Sequence, residues 1–357
     1  MNNQMYFPCE DDCYVSEMRN VVQKIWEKLG DEKSKILFKN RLLYSLTKDF
    51  KFMREVLDEA GVTERFKEYL QDDKSNLFFC YGAGIRGTRL VNIFRDINWV
   101  GYIDKNKKGI YNELPVFDIE TVVNATFSKI IVSNLENTDL IKNELIEKGI
   151  SKDSIVVLAE IDKIIGYNQY FENEFMLSAC DFNRCFVDIG CYDGSDTIKY
   201  LEWCNVSNAS VIGFEADRYN YALCKEKLEK YDNVELYNYG LSDKEGIGLF
   251  QMLGAKNSKF TSTGTEEVAL KRLDDVLAKR QVGFVKMDIE GFEEKCLQGA
   301  RRIISEQRPV LAISIYHKGE DIWKIPLMVL EMNKGYRFYL RHYNVGVQDT
   351  VLYAIPE

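Results

Sequence analysis

The segment FVDIGCYDGSDT, Phe186 to Thr197, constrains the fold of this chain more than any other stretch. It joins an apolar run to a turn that contains Gly190 and Gly194, and then continues into residues that suit a helix. Gly190 lets the backbone turn where a side chain would clash, and Gly194 is expected to leave room for a ligand at the helix start. This order of strand, turn and helix predicts the opening of a nucleotide-binding α/β unit.

Acidic residues mark the first two strands of this unit. Asp188 lies where a phosphate site would avoid a carboxylate, because helix amides already attract anions. A carboxylate suits a cationic ligand instead, such as the amino group of S-adenosylmethionine (SAM). The next apolar strand, VIGFEAD, ends in Glu215, about 20 residues after Gly194, where a carboxylate can accept both ribose hydroxyls. Together the two segments predict a SAM site.

Length and composition restrict the classes of protein to which this chain can belong. The chain has 357 residues, which favours two domains, and its net charge of −9 argues against nucleic acid as the main partner. Its nine cysteines include no C-x-x-C pair, which is typical of reduced cytoplasmic thiols. The N-terminal sequence does not look like a signal peptide, and no apolar run reaches the ~18 residues of a membrane span. We therefore expect a soluble, cytoplasmic protein.

The periodicity of apolar residues divides the chain into four parts. Residues 1–73 are predicted to be an N-terminal helical region, residues 74–160 a small Rossmann-like domain, residues 161–183 a linker, and residues 184–357 the larger α/β domain. The N-terminal helices carry apolar stripes that must be buried on something. We expect a homodimer through this region unless the chain buries the stripes itself.

From Cys185 onward apolar strands and helices alternate regularly. Strands are predicted near residues 185–189, 211–215, 234–239, 283–288 and 310–315. Two last strands, Tyr336 to His342 and Asp349 to Ile355, are separated by a short turn and should pair antiparallel. A parallel Rossmann-like sheet closed by an antiparallel C-terminal hairpin is the layout of class I SAM-dependent methyltransferases.

Several segments of the C-terminal half resemble the FkbM family of SAM-dependent methyltransferases. They are FVDIGCYDGSDT, GFEAD, YGLSDKEG, KRLDDVL, VKMDIEGFEEKCLQGA and RPVLAISIYHK. The K-x-D-x-E-G block, followed by a helix that ends in Gly-Ala, is the most specific of them. The resemblance covers most of the larger α/β domain and implies SAM as the cofactor.

The resemblance also implies which residues bind SAM. They are Asp188, Gly190, Tyr192, Asp193, Gly194, Glu215, Ala216, Leu241 and Ser242. The first five are expected to wrap the methionine end. Glu215, with Ala216 beside it, is expected to hold the ribose, and the turn at Leu241 and Ser242 to read the adenine edge.

Three residues are candidates for catalysis. Asp288 and Glu290 follow the fourth strand and His317 follows the fifth, so all three should lie near the SAM site. His317 is expected to take the proton of an acceptor hydroxyl, because imidazole titrates near neutral pH. Capping of the next helix is an equal alternative for Asp288 and Glu290. Some O-methyltransferases orient a hydroxyl on a divalent ion, but no set of three oxygen ligands is visible, and we expect no metal.

A second glycine pattern lies in the small domain. Gly82, Gly84 and Gly87 fit G-x-G-x-x-G, and Asp104 ends the next strand about 20 residues later. This domain resembles the Rossmann-like domains in front of sugar-modifying enzymes. The resemblance implies a nucleotide-sugar or dinucleotide ligand, or a degenerate site that is kept for assembly.

The function expected from these observations is methyl transfer from SAM to a hydroxyl of a sugar, a glycan precursor or a related metabolite. One alternative is an NAD- or nucleotide-sugar-binding oxidoreductase or isomerase centred on GAGIRG. Another is a non-catalytic interaction protein with a vestigial SAM fold. The polar segment Gly254 to Glu267 is expected to be a mobile lid or acceptor-contacting loop, the alternative being a plain surface insertion.

Overall fold

The computed structural model describes residues 10–71, 75–135, 137–206, 208–251, 259–261 and 264–357. The chain folds into two compact units. The first unit comprises the chain up to Lys35, Tyr170–Leu340 and Val351–Glu357, and the second comprises Ile36–Gln169 and Arg341–Thr350. Within the described ranges, none of the helices combines the length and the hydropathy needed to cross a lipid bilayer.

The N-terminal half contains eight named helices and six strands among the described residues. The helices are α1 Glu10–Lys28, α2 Glu32–Thr47, α3 Phe50–Glu59, α4 Val62–Leu70, α5 Ile85–Ile93, α6 Ile119–Val122, α7 Thr138–Glu147 and α8 Leu158–Ile165, with a 3₁₀ turn at Lys152–Ser154. The strands are β1 Phe78–Tyr81, β2 Trp99–Ile103, β3 Gly109–Tyr111, β4 Leu114–Phe117, β5 Lys129–Val132 and β6 Ile155–Val157.

The C-terminal half continues this numbering. The helices are α9 Asn173–Met176, α10 Ser195–Cys204, α11 Arg218–Leu228, α12 Leu273–Val276, α13 Glu293–Gly299 and α14 Asp321–Met332, with a π-helical segment at Ile303–Gln307. The strands are β7 Cys185–Ile189, β8 Val211–Phe214, β9 Val234–Tyr237, β10 Gly240–Leu241, β11 Gly246–Gln251, β12 Lys259–Phe260, β13 Glu266–Lys271, β14 Val282–Met287, β15 Val310–Ser314, β16 Tyr336–His342 and β17 Thr350–Pro356.

The main sheet of the first unit has the strand order β16-β17-β15-β14-β7-β8-β9. Strands β15, β14, β7, β8 and β9 are parallel, and β17 runs antiparallel to β15. The five predicted parallel strands and the two C-terminal strands are therefore confirmed, and the sheet is that of a class I methyltransferase. Strand β7 lies inside the sheet, between β14 and β8. All five of its residues are buried, as expected of a strand covered on both faces.

The order of the main sheet reverses between β7 and β14. From β7 the chain moves outward to β8 and β9, and it then returns to the other side of β7 as β14. In open α/β sheets, ligands bind beyond the carboxyl ends of the strands at such a reversal. Aromatic packing fixes this region, since the rings of Phe186 and Tyr200 stack at 4.0 Å and Phe284 lies against both.

A small second sheet interrupts the chain between β9 and β14, with the order β10-β13-β11-β12. Strand β12 and the start of β13 lie in the segment Gly254 to Glu267, and its role as a lid or acceptor-contacting loop stays a prediction. The rest of the predicted lid, residues 254–258 and 262–263, lies outside the described residues.

The second unit contains a six-stranded sheet with the order β3-β4-β2-β1-β5-β6. All neighbouring strands are parallel except β3 and β4, which form an antiparallel hairpin. The sequence analysis did not predict this hairpin.

The predicted apolar stripes of the N-terminal helices are partly accounted for within the chain. Ile25 and Leu29 are buried in the first unit, and Met53, Val56 and Leu57 are buried in the second. These residues are buried within a single copy of the chain. The homodimer stays a prediction, which light scattering at tens of micromolar would test.

Candidate active site

The glycine turn after β7 is pressed against the chain that follows β14. Gly190 has φ +79°, and a Cβ on it would lie 2.0 Å from the backbone oxygen of Asp288. The predicted need for glycine at this position is confirmed. Gly194 also has φ +79°, but a Cβ there would meet Leu228 and Cys224 rather than open space. Its small size therefore allows α11 to pack closely. The sequence analysis expected it instead to leave room for a ligand.

Replacing Gly190 by alanine should lower the free energy of unfolding by about 2–3 kcal/mol, since both the left-handed backbone and the clash with Asp288 oppose a side chain. Gly246→Ala is the matched control, because no atom lies within 4 Å of its Cβ position. Denaturant unfolding of both variants checks this expectation. Equal stability of the two variants would contradict the close approach.

Asp188 is fully buried and is neutralised from the neighbouring strand. Register places it directly beside Lys286 of β14, and Lys286 Nζ lies 3.0 Å from Asp188 Oδ1. The other carboxylate oxygen accepts a hydrogen bond from the hydroxyl of Thr197 at 2.8 Å. Asp188 thus faces an internal cation, whereas the sequence suggested a cationic ligand.

Lys286 links this pair to the glycine turn. Its Nζ donates to the backbone oxygen of Gly190 at 2.7 Å and lies 3.6 Å from the carboxylate of Asp196. Burial acts to lower the pKa of Lys286, but Asp188 and Asp196 outweigh it and raise that pKa. The ammonium group therefore stays charged and holds the turn in place.

Glu215 follows β8 and is 8% exposed. Its Oε2 accepts from the amide of Tyr192 at 2.9 Å, and its Oε1 accepts from the amide of Asp217 at 2.8 Å. These bonds tie the carboxylate to the glycine turn and to the N-terminus of α11, and each oxygen keeps a lone pair for a further donor. Burial raises the pKa of Glu215 to about 7.

Tyr192 and Asp193 lie in the same turn. Tyr192 is half-buried in a left-handed conformation with φ +49°. Asp193 accepts from the amide of Ser195 at 3.1 Å and from Lys227 at 2.9 Å. Ala216, which is half-buried, directly follows Glu215.

Leu241 and Ser242 are placed differently from the expectation. Leu241 belongs to strand β10 of the small sheet, and both residues are buried rather than in an open turn. The amide of Ser242 donates to the backbone oxygen of Lys271, and its hydroxyl donates to Asp243 at 2.9 Å. The amide of Ser242 is therefore already used inside the domain.

The three predicted catalytic residues are brought together. His317 Nε2 lies 3.4 Å from Asp288 Oδ1 and 3.7 Å from Glu290 Oε2. A fourth residue, Glu293, joins them, with Oε1 3.0 Å from His317 Nδ1. The side chains of Asp288 and Glu290 are 24% and 29% exposed, whereas those of His317 and Glu293 are buried.

Asp288 does not cap the next helix. Its Oδ2 accepts from the hydroxyl of Tyr170 at 2.7 Å and its Oδ1 from that of Tyr316 at 3.3 Å. Helix α13 has no side-chain cap. Glu290 adopts φ +56°, and such strain at a non-glycine residue is concentrated at functional sites.

The carboxylates set the protonation of this cluster. Burial acts to lower the pKa of His317, but Glu293, Asp288 and Glu290 outweigh it and raise that pKa to about 10. The ring is thus protonated at neutral pH in the free protein and cannot accept a proton in that form. Burial raises the pKa of Glu290 to about 7.

His342 has a structural role. Its Nδ1 lies 2.9 Å from the hydroxyl of Thr350 and its Nε2 lies 2.8 Å from the backbone oxygen of Asn344. Burial lowers the pKa of His342 to about 3, so the ring is neutral.

The second glycine pattern forms a loop between β1 and α5. Gly82 has φ +99°, and a Cβ on Gly87 would lie 2.0 Å from the backbone oxygen of Gly82, while Gly84 faces open space. One carboxylate oxygen of Asp104 accepts a hydrogen bond from the amide of Ala83 at 2.9 Å. The other accepts hydrogen bonds from the amides of Asn106 and Lys107 in the following turn. Asp104 ties down the loop, and a nucleotide site here stays a prediction.

Four residues of the site were not predicted from the sequence: Tyr170, Lys286, Glu293 and Tyr316. Lys286 is the lysine of the K-x-D-x-E-G block, and a lysine inside an otherwise apolar strand is a usable signal of a buried ion pair. Tyr170 lies 118 residues from Asp288 in the chain, and nothing in the sequence connects them.

The parallel sheet, the glycine turn and the acid at the end of β8 define a methyltransferase domain. Residues 188–344 match the family model of the methyltransferase FkbM domain. This part of the chain, which is less than half of its length, therefore matches an FkbM methyltransferase domain, and the cofactor that goes with such a domain is SAM. The residues fit that cofactor, because Glu215 keeps free lone pairs beside the glycine turn.

Several known proteins are similar to this chain. The 2-O-methyltransferase NoeI of Sinorhizobium fredii (strain NBRC 101917 / NGR234) is 25% identical over 146 residues, which cover 34% of this chain and 59% of NoeI. The methyltransferase FkbM of Methylobacillus flagellatus KT has a TM-score of 0.46 at 17% identity and covers 81% of this chain and 93% of its own. A SAM-dependent methyltransferase of Aquifex aeolicus has a TM-score of 0.32 at 13% identity, covering 56% and 98%.

Proposed function

We propose that this protein transfers the methyl group of SAM to a hydroxyl oxygen of a sugar, a glycan precursor or a related metabolite. The observation that carries the proposal is the cluster of Asp288, Glu290 and His317. The backbone of Asp288 lies directly against the glycine turn at Gly190. Similarity to a 2-O-methyltransferase supports an oxygen acceptor. The small domain, which resembles those of sugar-modifying enzymes, supports a sugar.

The glycine turn and Glu215 are the groups that would hold SAM. The turn from Gly190 to Gly194 would enclose the methionine end, and the two oxygens of Glu215 would accept the ribose hydroxyls. Asp188 would act indirectly, by fixing Lys286 and through it the backbone oxygen of Gly190. When bound, SAM supplies an electrophilic methyl group.

The proton of the acceptor hydroxyl needs a base within reach. Both oxygens of Asp288 already accept tyrosine hydroxyls, and His317 is buried among carboxylates. Glu290 is more exposed, and within the described part of the chain its carboxylate accepts no hydrogen bond. We therefore assign the proton to a carboxylate oxygen of Glu290 rather than to His317.

The proposed reaction is tested with SAM that carries a labelled methyl group and a panel of sugars, nucleotide sugars and glycans. The expected product is a methyl ether, which is stable to base. Label found only on amines, on thiols or in base-labile methyl esters would contradict an O-methyl transfer to hydroxyls.

SAM affinity should fall as the pH drops through about 7. Burial raises the pKa of Glu215 more than the amides of Asp217 and Tyr192 lower it, so the carboxylate is ionised mainly above about pH 7. Ribose hydroxyls donate more strongly to the ionised form, and affinity at pH 6 should be up to about tenfold below its plateau. Calorimetry across this range measures the effect. Glu215→Gln should abolish the dependence, and an unchanged profile in that variant would assign the titration to another group.

A further inference from the structure

The cluster at the carboxyl ends of β14 and β15 carries a site that the sequence did not predict. Asp288, Glu293 and His317 each offer one ligand atom, and these atoms all lie within 4.8 Å of one another. We propose that they bind a divalent transition-metal ion of the Mn²⁺ or Zn²⁺ type. The sequence shows no set of three oxygen ligands, whereas the structure brings Glu293 to Asp288 and His317.

The first support comes from unsatisfied polar atoms. Both ring nitrogens of His317 and Oε2 of Glu293 are buried without a hydrogen-bond partner among the described residues. The nitrogens lie 3.0–3.7 Å from carboxylate oxygens, but not in hydrogen-bonding geometry. Buried polar atoms in proteins nearly always have a hydrogen-bond partner, so atoms that lie at ion-pair distance but outside hydrogen-bonding geometry fit a shared cation.

The second support is the balance of charge. Three carboxylates, those of Asp288, Glu290 and Glu293, surround one imidazole, and even a protonated ring leaves negative charge in excess. Lys286 offsets only part of this charge, because its ammonium group lies closest to Asp188 and Asp196. Excess buried charge is costly, and a dication in place of the imidazole proton would offset it.

The third support is that the ligand groups are held in place. Tyr170 and Tyr316 donate to Asp288, and the amide of Ile289 donates to Oε1 of Glu293 at 2.9 Å. Metal-binding carboxylates commonly have such partners, which orient them before the ion arrives.

The ligand types select the class of ion. Carboxylates alone would suit Ca²⁺ or Mg²⁺, whereas an imidazole among carboxylates favours Zn²⁺ or Mn²⁺. The use of the ion rests on the proposed function: a metal beside the glycine turn would orient an acceptor hydroxyl and make its proton easier to remove.

The test uses the full-length protein after removal of metal by chelation, titrated separately with Mn²⁺ and with Zn²⁺. We expect one ion per chain with a dissociation constant below about 100 μM. Pulsed electron paramagnetic resonance of the Mn²⁺ sample should show coupling to an imidazole nitrogen. No binding of either ion, or Mn²⁺ bound without nitrogen coupling, would overturn the proposal.

Variants locate the site. His317→Gln and Glu293→Gln should each weaken binding by at least about 10–100-fold, and Glu294→Gln, on the same helix, should leave it unchanged. Undiminished binding in both ligand variants would place the ion elsewhere and overturn the assignment. If they fail to fold, the nitrogen coupling of the wild type still decides.

Metal binding and methyl transfer are measured separately. An ion bound as described, without methyl transfer to any hydroxyl, would refute the proposed function alone. Methyl transfer that persists in a protein unable to bind Mn²⁺ or Zn²⁺ would refute the metal site alone.

Discussion

Replacing Lys286 by methionine should lower the free energy of unfolding by about 3–5 kcal/mol. Methionine has a similar volume but leaves Asp188 as an uncompensated buried charge, which is the costly way to break a buried ion pair. It also removes the donor to the backbone oxygen of Gly190. Denaturant unfolding of the purified variant measures the loss.

The double variant Asp188→Asn, Lys286→Met should recover part of this loss, because the unpaired charge is gone. Lys324→Met is the control, since Lys324 forms an exposed pair with Glu320 and should change stability by no more than about 0.5 kcal/mol. If Lys286→Met is as stable as Lys324→Met, the ion pair does not hold the glycine turn.

Replacing Glu290 by glutamine should reduce turnover by about 10²–10⁴-fold, the usual contribution of a positioned base. The amide keeps the shape of the side chain but cannot take a proton. SAM affinity should be nearly unchanged, because Glu290 follows β14 whereas the ribose is assigned to Glu215 after β8. Steady-state kinetics with a methyl-accepting sugar and calorimetry with SAM measure the two quantities.

Glu294→Gln provides a matched control for this experiment, since it makes the same chemical change on the neighbouring helix α13. It should retain full turnover. If Glu290→Gln also retains full turnover, Glu290 is structural, and the proton passes to another member of the cluster or to water.

Parts of the fold with strong local patterns were predictable from the sequence. The main sheet was predictable because β7, β14 and β15 are mainly apolar runs with helices between them. The β3–β4 hairpin was missed because its turn places Asn112 and Glu113 at positive φ, where a glycine signal would be expected.

The residues of the site were predictable where they close a strand, as Asp288, Glu215 and His317 do. Their partners were less visible. The pairing of Asp188 with Lys286 depends on the register of two strands about a hundred residues apart. The role of Glu293 depends on the contact between helix α13 and His317, which follows β15. The raised pKa of His317 could not be predicted from the sequence, because it depends on three carboxylates that only the folded chain brings around the ring.

The most direct test of the account is calorimetry of SAM binding to the wild type and to Glu215→Ala. Losing an acceptor for two hydroxyls should weaken binding by about 1.5–3 kcal/mol, which is roughly 10–150-fold. Glu229→Ala, an exposed change at the end of α11, should bind SAM like the wild type. Unchanged affinity in a correctly folded Glu215→Ala protein would contradict the placement of SAM between the glycine turn and β8.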